Sequence, residues 1–474
     1  MSVSSLSRPP VLGFIPASRG FFDATLALRM REQAIEAFEA MGVELVYPSL
    51  EQTRNGCVES RAETELVGAL FRERGVDGIV VGAMNFGDEQ GVALTVKAAD
   101  LGVPVLIFGC QEEQALRPGM KRRDSFCGLL SIGEALRQIG VAYSVGRRPV
   151  GYPTDAAMRR DFAWFTAVCR VVATLRRARY GQVGARPEAF WTCRYDERAL
   201  QRLGPTTVTL DLSELIGAAE RLAEDEVAEE VAAAPMAAYA TPGATPHEAL
   251  DKMARMDVAL RRWIEANGLD AVAIQCWTSI QQNFGICACA VMSRLTDEGT
   301  PAACEADILG TLSMHAAQLA SGNPAALADW NNLHNDDDDL VNLWHCGVFP
   351  KSYARETPQM NYHDILVGAG AVEEESAYGI VEMEMAAMPV TLTRVTQDVD
   401  GTWRVLVVEA ATEVNEAKTT GSFGWCRIAG LQSLYRDVLL RRYPHHVAFT
   451  RGHVGDVLEE AYGRYLGMAV DRHG

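Results

Sequence analysis

Three things that would assign a protein quickly are missing from this 474-residue sequence. No uninterrupted apolar run reaches the roughly 18 residues a membrane-spanning helix needs. There is no basic excess: 44 Lys and Arg against 62 Asp and Glu give a formal net charge of -18, which argues against nucleic acid and anionic membrane partners. The 11 cysteines, an odd number spread from Cys57 to Cys426, form no disulfide framework, so a reducing cytoplasm is the expected setting. The CxC of Cys287 and Cys289 has no second cysteine pair at zinc-finger spacing and reads as small core residues on a helix "FGICACAVMSRL". "MSVSSLSRPPVLGFIPASRG" lacks the basic and apolar regions of a secretory signal. "GQVGARP" at 181–187 lacks the glycine spacing and lysine of a P-loop, and "NDDDDL" at 335–340 lacks the glycine and terminal glutamate of a calcium loop, so it reads as a solvated turn.

What is present is an ordinary globular composition, 48% hydrophobic and 22% charged. At about 100–200 residues per domain, a chain of this length divides into several, and three are expected. Residues 1–148 alternate strand and helix: "PVLGFIPA" (10–17), a helix over 24–41, "VELVYPSL" (43–50), "VDGIVVGAMNFGDEQ", a helix over 89–101 and "VPVLIFGC". That alternation predicts parallel crossovers in a doubly wound α/β domain, with ligand-facing residues such as Ser18, Arg19 and "NFGDEQ" at the carboxyl edge of the sheet. After the break "GRRPVGYP", a basic aromatic helix over 155–181 opens a second α/β domain, residues 149–322. It includes helices over 212–230 and 246–267, a Pro/Ala/Gly linker near 234–245 and the strand "DAVAIQCW". The texture then turns to β, with Asp400-Gly401 a hairpin signal, predicting a β-rich, barrel-like C-terminal domain over 323–474.

The chemistry concentrates around "TPAACEADILGTLSMHAAQLASGNPAALADW" at 300–330. Ile308, Leu309, Leu312, His315, Ala316 and Leu319 recur at helical spacing, so a helix starts near residue 306 with Asp307 as its N-cap. Glu305 then lies just outside the helix, where a strand end faces a pocket, and its charge meets the positive end of the helix dipole. Asp329 follows the helix, His345 lies in "LWHCG", and His445 and His446 lie in "YPHHVAF". Two carboxylates with one or two imidazoles suit a borderline divalent ion, manganese above all, and leave positions for substrate oxygens.

In the order "IQCW", "CEADILG", "ADW", "HCG" and "PHHVAF", these segments resemble the L-fucose isomerase and L-arabinose isomerase family over most of the chain. The family's two proton-handling carboxylates have a helix between them and about the 24-residue separation of Glu305 and Asp329. The resemblance implies two α/β domains and a β-barrel-like domain, a homo-oligomer that is often a hexamer, and a sugar substrate. Glu305 and Asp329 become both metal ligands and the acid/base pair. His446 is favoured over His445 as the terminal histidine ligand, and His345 matches an added ligand of arabinose-type members. Arg19, Gln275 and His445 fall where sugar hydroxyls are contacted. The implied reaction is aldose–ketose isomerisation of a pentose, hexose or 6-deoxy sugar through an enediolate, with Mn2+ as Lewis acid. Aldol cleavage or epimerisation would use the same groups, and a non-catalytic sugar-binding protein is the alternative of another class.

Overall fold

A computed structural model describes residues 9–226, 236, 239, 241–242 and 245–473, so part of the expected linker near 234–245 and the end of the 212–230 helix fall outside the described residues. The chain forms two compact units, Ser7–Thr174 with Glu460–Gly467, and Leu175–Glu459 with the C-terminal strand.

The first unit is a parallel sheet in the order β2 (Leu45–Val46), β1 (Leu12–Ala17), β3 (Gly78–Ala83), β4 (Val105–Cys110), β5 (Ser144–Gly151). β1, β3 and β4 are apolar and buried along their whole length, as expected of a sheet covered on both faces. Two expectations need correction. Only Leu45 and Val46 of "VELVYPSL" pair as strand; beyond them the carbonyl of Pro48 accepts from Arg31 Nη2 at 2.8 Å instead of joining the sheet. The "GRRPVGYP" break lies largely in strand β5, which holds Pro149 because it is the sheet edge and its register shifts between Ile107 and Gly109.

The second unit contains two sheets. One is parallel, in the order β10 (Ala302–Ala303), β9 (Ala271–Ile274), β6 (Arg179–Val183), β7 (Thr206–Leu210). The helix expected over 155–181 therefore stops at Leu175, and the residues after it become β6, with Tyr180, Gly181 and Val183 buried between two strands. The other sheet has ten strands, in the order β19 (Ala469–His473), β16 (Trp403–Glu413), β15 (Met388–Gln397), β18 (His446–Arg451), β11 (Ala325–Leu333), β12 (Leu340–His345), β17 (Ser422–Arg427), β14 (Tyr378–Glu384), β13 (Gln359–Tyr362), β8 (Thr241–Pro242). A further pairing of β16 with β17 curls it towards the barrel-like form expected. The hairpin turns where Asp-Gly stands, with Gly401 at φ 88° donating to the Asp398 carbonyl at 2.9 Å.

Helix Ile308–Ser321 packs against both sheets of this unit, on β9 and β10 of the parallel sheet and on β11, β15 and β18 of the large one. Thirteen of its fourteen residues are buried. A mostly apolar helix buried around its circumference belongs inside a protein, and its charged neighbours collect at its ends.

Candidate active site

The start of that helix is the site's foundation. Asp307 is its N-cap as the spacing predicts, Oδ1 accepting from Gly310 N at 2.9 Å. The side chain does more than cap. Arg394, from β15, donates Nη1 to Oδ2 at 2.6 Å and Nη2 to Oδ1 at 3.2 Å, and His446 Nδ1 sits 2.8 Å from the same Oδ2. Gly310 is glycine for this reason: a Cβ there would lie 2.7 Å from Asp307 Oδ2 and 3.0 Å from Arg394 Nη1. Burial alone would raise the Asp307 carboxyl, but the Arg394 charge and His446 outweigh it and hold it well below the usual range.

Glu305 reaches the site through an unusual backbone. Glu305 and Ala306 adopt φ of 58° and 53°, a left-handed pair outside glycine. Such strain persists where the surroundings impose it, commonly at functional sites. Here the Ala306 N–H donates to the Ile274 carbonyl at 3.1 Å and the Asp307 N–H to the Cys304 carbonyl at 3.0 Å, tying the turn to the end of β9. Trp277 Nε1 donates to Glu305 Oε1 at 3.1 Å and fixes the carboxylate plane. Oε2 is left facing His446 Nε2 at 2.8 Å and His345 Nε2 at 3.9 Å.

Asp329 arrives from the large sheet, directly opposite His446 in the register of β11 with β18. Its Oδ1 is 3.6 Å from His446 Nε2 and 3.5 Å from His445 Nε2. Three carboxylates thus converge on the His446 ring. Burial alone would lower its pKa, yet Asp307, Cys193 and Glu305 raise it well above the usual histidine value. The same proximity, with His345 and His446 outweighing burial, holds Glu305 below the usual carboxylate range.

Glu305 Oε2, Asp329 Oδ1, His345 Nε2 and His446 Nε2 are all buried, and none makes a hydrogen bond of proper geometry. Buried polar atoms are nearly always partnered, so four orphans in one cluster fit a cation or substrate oxygens. Ligand atoms of Glu305, His345 and His446 lie within 4.8 Å of one another, as do those of Asp329, His445 and His446. His446 belongs to both sets. It is 1% exposed with Nδ1 held by Asp307, whereas the His445 side chain is 41% exposed and its ring packs on Phe190 at 5.7 Å. Phe190 also packs edge-on against Trp277 at 5.2 Å, giving an apolar wall beside the polar cluster.

Gln275 and Arg19, the other expected sugar contacts, have polar partners of their own. Gln275 follows β9, where Oε1 accepts from Ala185 N at 2.9 Å and Nε2 donates to Ser279 Oγ at 3.3 Å, so its side chain joins two loops. Arg19, in the first unit, pairs with Glu89 and lies 4.6 Å from the Phe86 ring centre, while Asp88 caps helix Glu89–Ala99 and Asn85 ties the turn to Ser18. Sequence reasoning missed Arg394, Trp277 and the second role of Asp307. Trp277 stands inside the recognised "IQCW", but nothing local marks its indole as a partner of a residue 28 positions away.

Carboxylates and imidazoles gathered at a buried helix start suit proton transfer, and with the matches that follow the chain is an enzyme of the aldose–ketose isomerase class. Residues 13–176 match the fucose/sulfoquinovose isomerase N-terminal domain and residues 343–473 the L-fucose isomerase C-terminal domain. The chain belongs to the L-fucose isomerase family. It is similar to the sulfoquinovose isomerase of Priestia aryabhattai, with 26% identity over 96% of this chain and 97% of that enzyme. The sulfoquinovose isomerase of Alkalicoccus urumqiensis is likewise 26% identical, over 83% of this chain and 85% of its own length. That of Clostridium sp. (strain MSTE9) is 28% identical over 64% of this chain and 66% of its own.

Proposed function

We propose that the chain is a metal-dependent isomerase of a hexose or 6-deoxy sugar, with sulfoquinovose, the sugar in its relatives' names, as the first candidate. The observation that carries this reading is the convergence of four buried, unpartnered donor atoms from Glu305, Asp329, His345 and His446. Glu305, Asp329 and His446 would hold a divalent ion, Mn2+ being the first choice for mixed oxygen and nitrogen donors. Bound there, the ion supplies a Lewis acid that stabilises negative charge developing on the sugar oxygens.

The chain's own residues account for the rest. Asp307 accepts a hydrogen bond from His446 Nδ1 and leaves the Nε2 lone pair for the ion, the usual way a carboxylate orients a ligating histidine. His345 is oriented the other way. Its Nδ1 accepts from the Cys346 N–H at 3.0 Å, so its neutral ring carries the proton on Nε2. In this tautomer His345 serves as a hydrogen-bond donor, towards Glu305 or a sugar oxygen, and metal retention in a His345→Gln variant tells this role from the ligand role the resemblance implies. Glu305 and Asp329 move the protons: one takes the carbon-bound proton while the other serves the hydroxyl, and they exchange tasks in the reverse direction. Phe190 and Trp277 present ring faces suited to the apolar face of a sugar and help exclude water.

The test is a panel of pentoses, hexoses, 6-deoxy sugars and sulfoquinovose, followed by NMR in deuterated water before chelation, after it, and after adding Mn2+. The expected result is aldose–ketose interconversion with the carbon count kept, lost on chelation and restored by Mn2+. Because the ion must displace a proton from His446, whose pKa is raised, ion retention should weaken as the pH falls. Turnover indifferent to chelation would end the metal-dependent reading, and fragmentation of the sugar would end isomerisation.

A further inference from the structure

Behind His345 lies a second set of donors with different chemistry. Nε2 of this ring faces Glu305, whereas Nδ1 faces sulfur, 3.2 Å from Cys346 Sγ. Cys346 Sγ is in turn 3.6 Å from Cys289 Sγ. Donor atoms of Cys304, His345 and Cys346 all lie within 4.8 Å of one another. These side chains come from three separate places: the turn after β10, the start of helix Cys289–Asp297, and the end of β12. All four residues are buried, Cys304 fully and Cys346 the most accessible at 7%.

We propose that Cys304, Cys346 and Nδ1 of His345 form a binding site for Zn2+ or a similarly thiophilic divalent ion. The three donor atoms are close enough together to share one tetrahedral ion. Zn–S bonds of about 2.3 Å and Zn–N bonds of about 2.0–2.1 Å put two sulfurs about 3.8 Å apart, and sulfur and nitrogen about 3.6 Å apart. The observed 3.2 Å between His345 Nδ1 and Cys346 Sγ differs from the second value by a few tenths of an ångström, and all three donor atoms lie within 4.8 Å of one another. Charge also closes. Cys304 and Cys346 each release a proton on binding, two thiolates balance the two charges of the ion, and the neutral imidazole adds none. A neutral site is what a buried position tolerates.

Donor type would sort the two ions, with oxygen-rich ligands in front of His345 and sulfur behind it. The ion would take the place of the Cys346 N–H on Nδ1, and the ring's proton would stay on Nε2, as assigned above.

Because the donors are buried, the ion is loaded as the chain folds, so the test uses full-length protein made in cobalt-supplemented cells. The variant to examine carries Glu305→Gln and Asp329→Asn, which disable the front cluster and leave every cysteine in place. The expected result is one retained equivalent of Co2+ with thiolate-to-cobalt charge-transfer absorption. Adding Cys304→Ser and Cys346→Ser should remove both metal and absorption. A double variant without cobalt, or with cobalt but no thiolate absorption, would overturn the proposal. Should the serine variants not fold, the spectrum of the double variant decides alone. This outcome does not depend on the proposed function: loss of Mn2+ binding by the unaltered chain would end that reading and leave this one standing.

Discussion

Glu305→Gln and Asp329→Asn each lower turnover by about 10²–10⁴-fold, the range a positioned acid or base commands, while the protein stays folded. In Glu305→Gln the remaining carbonyl oxygen can still accept from Trp277, so the side chain stays in place. The new amide, however, meets His446 with hydrogens where Oε2 stood 2.8 Å from Nε2, and it can neither bind an ion nor carry a proton. The amide introduced by Asp329→Asn fails in the same way beside His446 and His445. The helix start is untouched, because its cap is Asp307. Sugar turnover measured with saturating Mn2+, beside circular dichroism, checks both statements. Unchanged turnover in both variants would sink the two-carboxylate scheme.

Arg394→Met destabilises the protein by about 3–5 kcal/mol, the usual cost of leaving one partner of a buried ion pair uncompensated. Asp307 is fully buried and its carboxylate is shared by Arg394, His446 and the helix N-terminus. Its pKa is depressed in the folded state, so its contribution is present above the unfolded carboxylate pKa and is lost as the pH falls towards the folded value. The same substitution loosens His446, and loss of such an orienting partner typically costs about 10–100-fold in metal affinity, the effect expected here. Denaturant midpoints at neutral and acid pH, with Mn2+ titration, measure both effects. Combining Arg394→Met with Asp307→Asn should recover stability, since Asn also caps helices, but not ion affinity. Equal stability of Arg394→Met and the unaltered chain would refute the buried-pair account.

Which features could be read from the sequence follows from the range over which each is determined. Strands β1, β3 and β4 are continuous apolar runs, and the helix at 308–321 carries its own period and cap, so local pattern sufficed. β5 was hidden because Pro149 and two arginines read as a break, and only the sheet order reveals an edge position where proline is tolerated. The helical pattern runs on past Leu175, but Arg179–Val183 become strand β6 through pairing with β7 and β9, which no local pattern reports.

The candidate site divides in the same way. Glu305 and Asp329 stood out because charge beside an apolar helix is conspicuous, and the order of motifs added His446. Arg394 lies within an unremarkable strand, 87 residues beyond Asp307, and its importance exists only once β15 packs against the helix start. The orientation of His345 depends on the backbone N–H of the residue after it, which composition cannot report. Positive φ at Glu305 and Ala306 was equally hidden, since neither is a glycine.

The central claim is that Glu305, Asp329 and His446 together hold a catalytic divalent ion. Anomalous diffraction at the manganese edge, from crystals of the full chain grown with Mn2+, tests it most directly. The account predicts an anomalous peak in contact with all three side chains, absent from crystals of the Glu305→Gln, Asp329→Asn variant. A peak bound elsewhere, or none at saturating Mn2+, would contradict it.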